Sequence, residues 1–325
     1  MSVPGGKKDL WLGLDLGASK ILAVLVEEDL SLAGSLRTET KREEGPERVL
    51  DRALGLCRRL EEEGGRAKGV GVGFAGLVDP GTGAVRSSIM LPGWEGFPLA
   101  RKLEEALGIP ARADNDATAA GLGEFRALGS PPGLNMVLLT VGTGIGGALV
   151  LGGRLYRGKG GLAGELGNTT IEWKGRTCWC GNRGCLNTLA SGSALSALAR
   201  RLAGERPGSL LGQKEEPPSL PEVAEAARRG DEAARLAILE GARALGAGVA
   251  NFINIFDPHL VVLTGGVTGL GETFLEEVRR EAGKRAFAEA FEGTKIELSR
   301  LGDMTGAVGA ACLAMEAARR GGSRP

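Results

Sequence analysis

One grammar appears twice in this chain, and it limits the fold more than any other feature. LWLGLDLGASKILAVLVEE, residues 10–28, reads as two apolar strands joined by the tight turn Gly17-Ala18-Ser19. NMVLLTVGTGIGGALVLGGRLY, residues 135–156, again sets two apolar strands on either side of a glycine-rich turn. A two-stranded unit cannot bury its faces alone, so each copy needs helices and further strands around it. The repetition has the form of an internal duplication. The expected architecture is α/β in two domains: residues 1–118 with 303–325, and residues 119–302, which carry a cysteine cluster. A chain of 325 residues is long enough for two cores.

The remaining segments fit that plan. Leu50, Leu54, Cys57 and Leu60 share one face of a helix expected over 46–63. GVGVGFAGLVDPGTGAV supplies a buried strand and a turn at Asp79 to Gly83, and residues 98–108 an amphipathic helix ending at Gly108. ARAD is a short strand, with Asp114 or Asn115 starting the next helix. Residues 201–220, polar and proline-bearing, are expected as a loop, and 231–256 as a long helix. HLVVLTGGVTGLGE runs from a strand into a glycine turn and a helix start. The Ala-rich tail from Thr305 to Arg319 is expected as a helix packing back on the first domain.

Composition excludes some functions. Forty Lys and Arg balance forty Asp and Glu, and no long basic run appears, which argues against a nucleic-acid partner. MSVPGGKKDL lacks the apolar centre of a signal peptide, and no uninterrupted apolar stretch reaches membrane-spanning length, so a cytoplasmic protein is expected. In a reducing compartment Cys178, Cys180 and Cys185 read as metal ligands rather than disulfide partners. Cys57 and Cys312 lie in apolar helical surroundings and read as inert.

The turns suit nucleotide phosphates. Asp15 ends a strand before Gly17 and Ser19, where a carboxylate can hold hydrated Mg²⁺. Thr140, Gly142, Thr143, Gly144 and Gly146 gather hydroxyls and backbone N–H groups at one point, and such donors neutralise phosphate without a lysine. No G-x-x-x-x-G-K-[ST] occurs. A plain glycine hairpin explains either turn alone, and the Gly265-Gly266-Val267 turn after VVLT is equally weak alone. The three in this order, led by Asp15, are far more specific.

LDLGASKILAVLV, GVGFAGLVDPGTGAV, NDATAAGLGE, TVGTGIGGALVLGGRLYRGKGGLAGELG, CWCGNRGC and VVLTGGV together resemble the ROK family of bacterial sugar kinases and sugar-responsive repressors. The match runs through nearly the whole chain. It implies the actin-like ATPase (ribonuclease H-like) fold, with ATP, Mg²⁺ and sugar in a cleft between the domains. The implied activity is phosphorylation of a hexose at its 6-hydroxyl, with glucose as the default. By resemblance Asp116 is the base, Asn115 and Glu165 touch the sugar, and Asp15, Gly17, Ser19, Thr143, Gly144, Gly265 and Gly266 hold the nucleotide. A homodimer or homotetramer is implied as well. Only about nine residues precede the first strand, fewer than the helix-turn-helix of the repressor branch needs, which favours the kinase branch.

Two positions depart from the pattern. Where the family places a His that ligates zinc and touches the sugar, this chain has Asn168. Where it places a sugar-binding Glu after the last cysteine, this chain has Asn187. Asn168 and Asn187, able both to donate and to accept, are expected among the sugar-binding residues with Asn115, Asp116 and Glu165, in a site rebuilt for a different ligand. The only histidine, His259, stands in a DPHL turn and reads as structural. Zinc then rests on three thiolates with a water or another side chain, or its site is empty. Two functions compete: a kinase with altered sugar preference, such as one for an N-acetylated hexosamine, and a catalytically weakened protein that binds or senses a sugar.

Overall fold

The computed structural model describes residues 8–212 and 216–320. Residues 1–7, part of the expected 201–220 loop (213–215) and residues 321–325 lie outside the described residues. The chain divides into two compact units, residues 1–131 with 155–163 and 303–325, and residues 132–154 with 164–302.

In the first unit the strands are β1 (Leu10–Leu16), β2 (Lys20–Glu27), β3 (Leu32–Glu39), β4 (Val70–Phe74), the short hairpin β5 (Leu77–Val78) and β6 (Val85–Ser87), and β7 (Ala111–Asn115). The helices are α1 (Pro46–Gly64), α2 (Leu99–Leu107), α3 (Asp116–Ala127) and the C-terminal helix Thr305–Arg320. The five-stranded sheet runs β3-β2-β1-β4-β7. β1 pairs antiparallel with β2 and parallel with β4, which pairs parallel with β7. Every residue of β4 is buried, as parallel strands covered on both faces require.

Glycines let helices approach this sheet at backbone distance. A Cβ on Gly13 would stand 1.9 Å from the Ala307 carbonyl oxygen, and one on Gly71 1.7 Å from that of Ala310. On the C-terminal helix, a Cβ on Gly309 would meet the Ala119 carbonyl oxygen of α3 at 1.9 Å. The expected docking of the tail on the first unit therefore holds, and small residues set how closely it docks.

In the second unit the strands are β8 (Met136–Val141), β9 (Ile145–Leu151), β11 (Leu260–Thr264) and β12 (Lys295–Leu298); with β10 (Arg154–Tyr156), of which only Arg154 belongs to this unit, the sheet order is β10-β9-β8-β11-β12. The helices are α4 (Asn187–Ala190), α5 (Gly192–Gly204), α6 (Leu220–Arg228), α7 (Glu232–Phe256), α8 (Glu272–Gly283) and α9 (Ala288–Gly293). The expected 201–220 loop is shorter: α5 extends to Gly204, and Ser219 starts α6 with a reciprocal capping box to Glu222. Among the described residues α7 is the helix long and apolar enough to cross a bilayer by length and composition. It is a core helix here, with Gly241 and Gly248 packed against the side chains of Leu195 and Leu186.

Candidate active site

In the first unit, β1 delivers Asp15 to the turn before β2. The Gly17 N–H donates to the Lys20 carbonyl at 3.1 Å, and the Thr40 hydroxyl donates to the Gly17 carbonyl at 2.7 Å. Thr40 also donates its N–H to the Ser19 carbonyl at 2.9 Å, so the last residue of the turn is pinned while the Ser19 side chain stays exposed. Burial pushes the Asp15 pKa up to about 6, and nearby Lys20 offsets part of that rise. Asp15 lies at the first turn of the C-terminal helix, because Gly306 has no side chain to occupy the space.

The NDA segment follows β7. Asn115 caps α3: its Oδ1 accepts from the Thr118 N–H at 3.0 Å, and its Nδ2 donates to the Gly76 carbonyl at 3.2 Å. With the cap supplied by Asn115, Asp116 is not required for that role. Its Oδ1 accepts from Asn115 Nδ2 at 2.9 Å and from the Ala117 N–H at 2.8 Å, which fixes the carboxylate at the helix start. Gly73 of β4 leaves room, since a Cβ there would lie 3.2 Å from the Asp116 Cα. Asp114 has a different part. It is 5 % exposed, accepts from the Asn115 N–H at 2.9 Å and pairs with Arg157 Nε at 2.8 Å.

In the second unit, β8 and β11 run parallel with Thr140 beside Thr264, so the turns after both strands leave the same end of the sheet. Open α/β sheets place ligands at this carboxyl end. The Gly142 N–H donates to the Gly144 carbonyl at 2.9 Å, and the Gly192 N–H to the Gly142 carbonyl at 2.7 Å. Thr143 is exposed at the tip. Gly265 has φ 90° and lies against Val141, where a Cβ would stand 2.8 Å from the carbonyl oxygen. Only glycine meets both demands without strain.

Glu165, Asn168 and Asn187 come together beside the start of β9. Asn168 Nδ2 donates to Glu165 Oε2 at 3.0 Å, Asn187 Nδ2 donates to Asn168 Oδ1 at 2.8 Å, and Asn187 Oδ1 accepts from the Ile145 N–H at 2.6 Å. Partial desolvation raises the Glu165 pKa although the residue keeps an exposed face; the Asn168 amide pulls the other way.

The three cysteine sulfurs lie within 4.8 Å of one another, with Cys180 and Cys185 at 3.6 Å. Zinc–thiolate bonds of about 2.3 Å put tetrahedral sulfurs roughly 3.8 Å apart, so the cluster fits three of the four positions around zinc. The Asn168 side chain is turned to Glu165 and Asn187, and only its main-chain carbonyl, 3.5 Å from Cys185 Sγ, faces the cluster. His259 is structural, as expected: its Nδ1 accepts from the Asn135 N–H at 3.1 Å. A groove of about 1040 Å³ on this unit, lined by Arg176, Arg201, Arg243 and Arg285, holds none of the site residues. Its arginines are already bonded to neighbouring acceptors.

Sequence reasoning passed over Arg157 and Gly306. Arg157 sits in a glycine-rich run far from Asp114 in the chain, and nothing local marks the pair. Gly306 had a signal, a glycine in the first turn of a helix, where it is costly without a reason.

Comparison with known proteins finds similarity along nearly the whole chain. A glucokinase of Streptomyces coelicolor is 32 % identical over 314 residues, covering 94 % of this chain and 98 % of that protein. A xylose repressor of Caldicellulosiruptor bescii is 32 % identical over 314 residues, covering 94 % of this chain and 77 % of its own. The crystal structure of a ROK family glucokinase from Streptomyces griseus, in complex with glucose and AMPPNP, superposes with a TM-score of 0.86 at 32 % identity, covering 94 % and 99 % of the two chains. The two sheets with their helices are thus the actin-like ATPase fold. With the ROK family model matching residues 11–317, the chain belongs to the ROK family.

Proposed function

We propose that this protein is an ATP-dependent sugar kinase that phosphorylates the 6-hydroxyl of a hexose, with glucose as the first substrate to test. The observation that carries the proposal is Asp116, held at the start of α3 by Asn115 and the Ala117 N–H while Asn115 does the capping. Asp116 takes the proton of the attacking hydroxyl as its oxygen bonds to the γ-phosphorus. The bond to the β–γ bridging oxygen breaks, and its electron pair leaves with ADP. Phosphoryl transfer of this kind is carried by positioning and electrostatics.

The other residues serve that step. Asn115 and Glu165 orient sugar hydroxyls, with Asn168 and Asn187 behind Glu165. The turns at Gly17 to Ser19, Thr143-Gly144 and Gly265-Gly266 supply backbone and hydroxyl donors to the nucleotide. Asp15, ionised above about pH 6, is the carboxylate suited to the hydrated Mg²⁺ that accompanies ATP and neutralises its phosphates. Cys178, Cys180 and Cys185 would hold a structural zinc ion with a non-protein fourth ligand. We further infer a cytoplasmic protein that assembles as a homodimer or homotetramer, as the family resemblance implies.

The similarity to a xylose repressor and the two Asn replacements support a second reading, a protein that binds a sugar without efficient turnover. An ADP-release assay over glucose, mannose and N-acetylated hexosamines separates the two. Turnover abolished by Asp116→Ala supports the kinase; sugar-dependent thermal stabilisation with no turnover supports the sensor.

A further inference from the structure

Asn168 and Asn187 replace two residues with quite different chemistry, yet in this fold they form one continuous unit. A row of hydrogen bonds runs from the Ile145 N–H to Asn187 Oδ1 (2.6 Å), from Asn187 Nδ2 to Asn168 Oδ1 (2.8 Å) and from Asn168 Nδ2 to Glu165 Oε2 (3.0 Å). Its direction is dictated at both ends. The Ile145 amide can only donate, so Asn187 must present its oxygen there. The Glu165 carboxylate can only accept, so Asn168 must present its nitrogen. The amide groups between them have one arrangement that satisfies every partner, and reversing either one sets oxygen against oxygen or N–H against N–H.

The space for this row is also built in. Asn187 is 4 % exposed. A Cβ on Gly167 would lie 2.7 Å from Asn187 Nδ2 and 2.1 Å from the Ile145 carbonyl oxygen, and one on Gly144 3.3 Å from Asn187 Oδ1. The row begins at the first residue after the Gly142-Thr143-Gly144 turn and ends at the carboxylate assigned to the sugar. A buried amide bonded at both its oxygen and its nitrogen is costly to misdirect.

We propose that Asn187 is a positioning residue for sugar recognition, acting through Asn168 to hold Glu165 in place and tying that carboxylate to the phosphate turn. The inference rests on the sugar-kinase reading for its ligand, but the row itself is independent of which sugar binds. With Oε2 engaged by Asn168, Glu165 presents Oε1 to one sugar hydroxyl. The two Asn residues are therefore a matched pair: changing one without the other breaks the row.

The test uses the full-length protein with Asn187→Asp, Asn168→Ala and the double variant, each checked for folding by its melting curve. Asn187→Asp keeps shape and keeps the acceptor for Ile145, but sets a carboxylate oxygen against Asn168 Oδ1. Glucose and AMPPNP dissociation constants are measured separately by calorimetry. The expected result is a loss of glucose affinity of about tenfold or more in Asn187→Asp. AMPPNP affinity should stay within about twofold, and the double variant should be no worse than Asn168→Ala alone, as expected of residues acting in one row. Glucose affinity unchanged in Asn187→Asp, or losses that multiply in the double variant, would overturn the proposal. If no hexose binds the wild-type protein, the sugar-kinase reading fails separately. The row is then decided by side-chain amide NMR. Slowly exchanging Asn168 and Asn187 signals that shift together in Glu165→Gln uphold it, and signals that respond independently overturn it.

Discussion

Asp15 Oδ2 lies 2.8 Å from the point where a Cβ at position 306 would stand, so the carboxylate occupies space that only glycine leaves at the start of the C-terminal helix. Gly306→Ala should displace either the carboxylate or the helix, raising KM for Mg·ATP while leaving the sugar dissociation constant near its wild-type value. Gly55, inside α1 with nothing within 4 Å of its added Cβ, is the matched control. Gly55→Ala should gain about 0.5–1 kcal/mol in a chemical melt, and Gly306→Ala should lose stability.

Burial raises the folded-state pKa of Asp15 from 3.8 to about 6, so the folded protein binds this proton more tightly than the unfolded chain does. The stabilisation is complete below the unfolded value and is lost as pH rises from about 4 to about 6, by roughly 3 kcal/mol at most. Asp15→Asn should therefore flatten this part of the stability profile and be more stable than wild type at pH 7.5, while losing kinase activity. Urea melts at pH 4.5 and 7.5 read the first effect, and an ADP-release assay the second. Such a trade is expected where a site is held against its own stability.

Arg157 pairs with Asp114, whose side chain is 7 % exposed and immediately precedes Asn115 and Asp116. Removing the cation leaves a buried charge without its partner. Arg157→Met should cost on the order of 3 kcal/mol, and kcat should fall with it as the NDA segment loosens. Adding Asp114→Asn should recover most of the stability, which thermal melts of the single and double variants would detect.

The cysteine cluster makes a prediction for metal content. Purified protein should hold close to one zinc, Cys178→Ser and Cys185→Ser should hold markedly less, and Asn168→His should bind it more tightly by supplying a fourth side-chain ligand. The same Asn168→His change should weaken sugar binding, because it removes the amide that joins Glu165 to Asn187. Elemental analysis below about a tenth of an equivalent in the wild type would contradict the assignment.

Much of this was legible in the sequence because the signals were local. Strand periodicity placed β1, β2, β8 and β9, and α2 ends at Gly108 as expected, with that glycine in the left-handed conformation. The NDA run marked the start of α3 but left open whether Asp114 or Asn115 began it; backbone geometry chose Asn115. What stayed hidden depended on contacts between distant segments. β3 alternates exposed and half-buried residues with two glycine or serine positions, too weak a pattern to read as a strand before β2 is in place to pair with it. Asn168 and Asn187 read as losses of a ligand and an acceptor. Only their joint geometry turns two departures into one row of hydrogen bonds.

The central claim is that Asp116 is the base of a sugar kinase, and one measurement addresses it most directly. Steady-state ADP release with glucose, ATP and Mg²⁺ is compared for wild type and Asp116→Asn, alongside glucose affinity by calorimetry. The account predicts that kcat falls by about a hundredfold or more, the usual contribution of a general base, while glucose still binds the variant. Turnover within a few-fold of wild type in Asp116→Asn would contradict it.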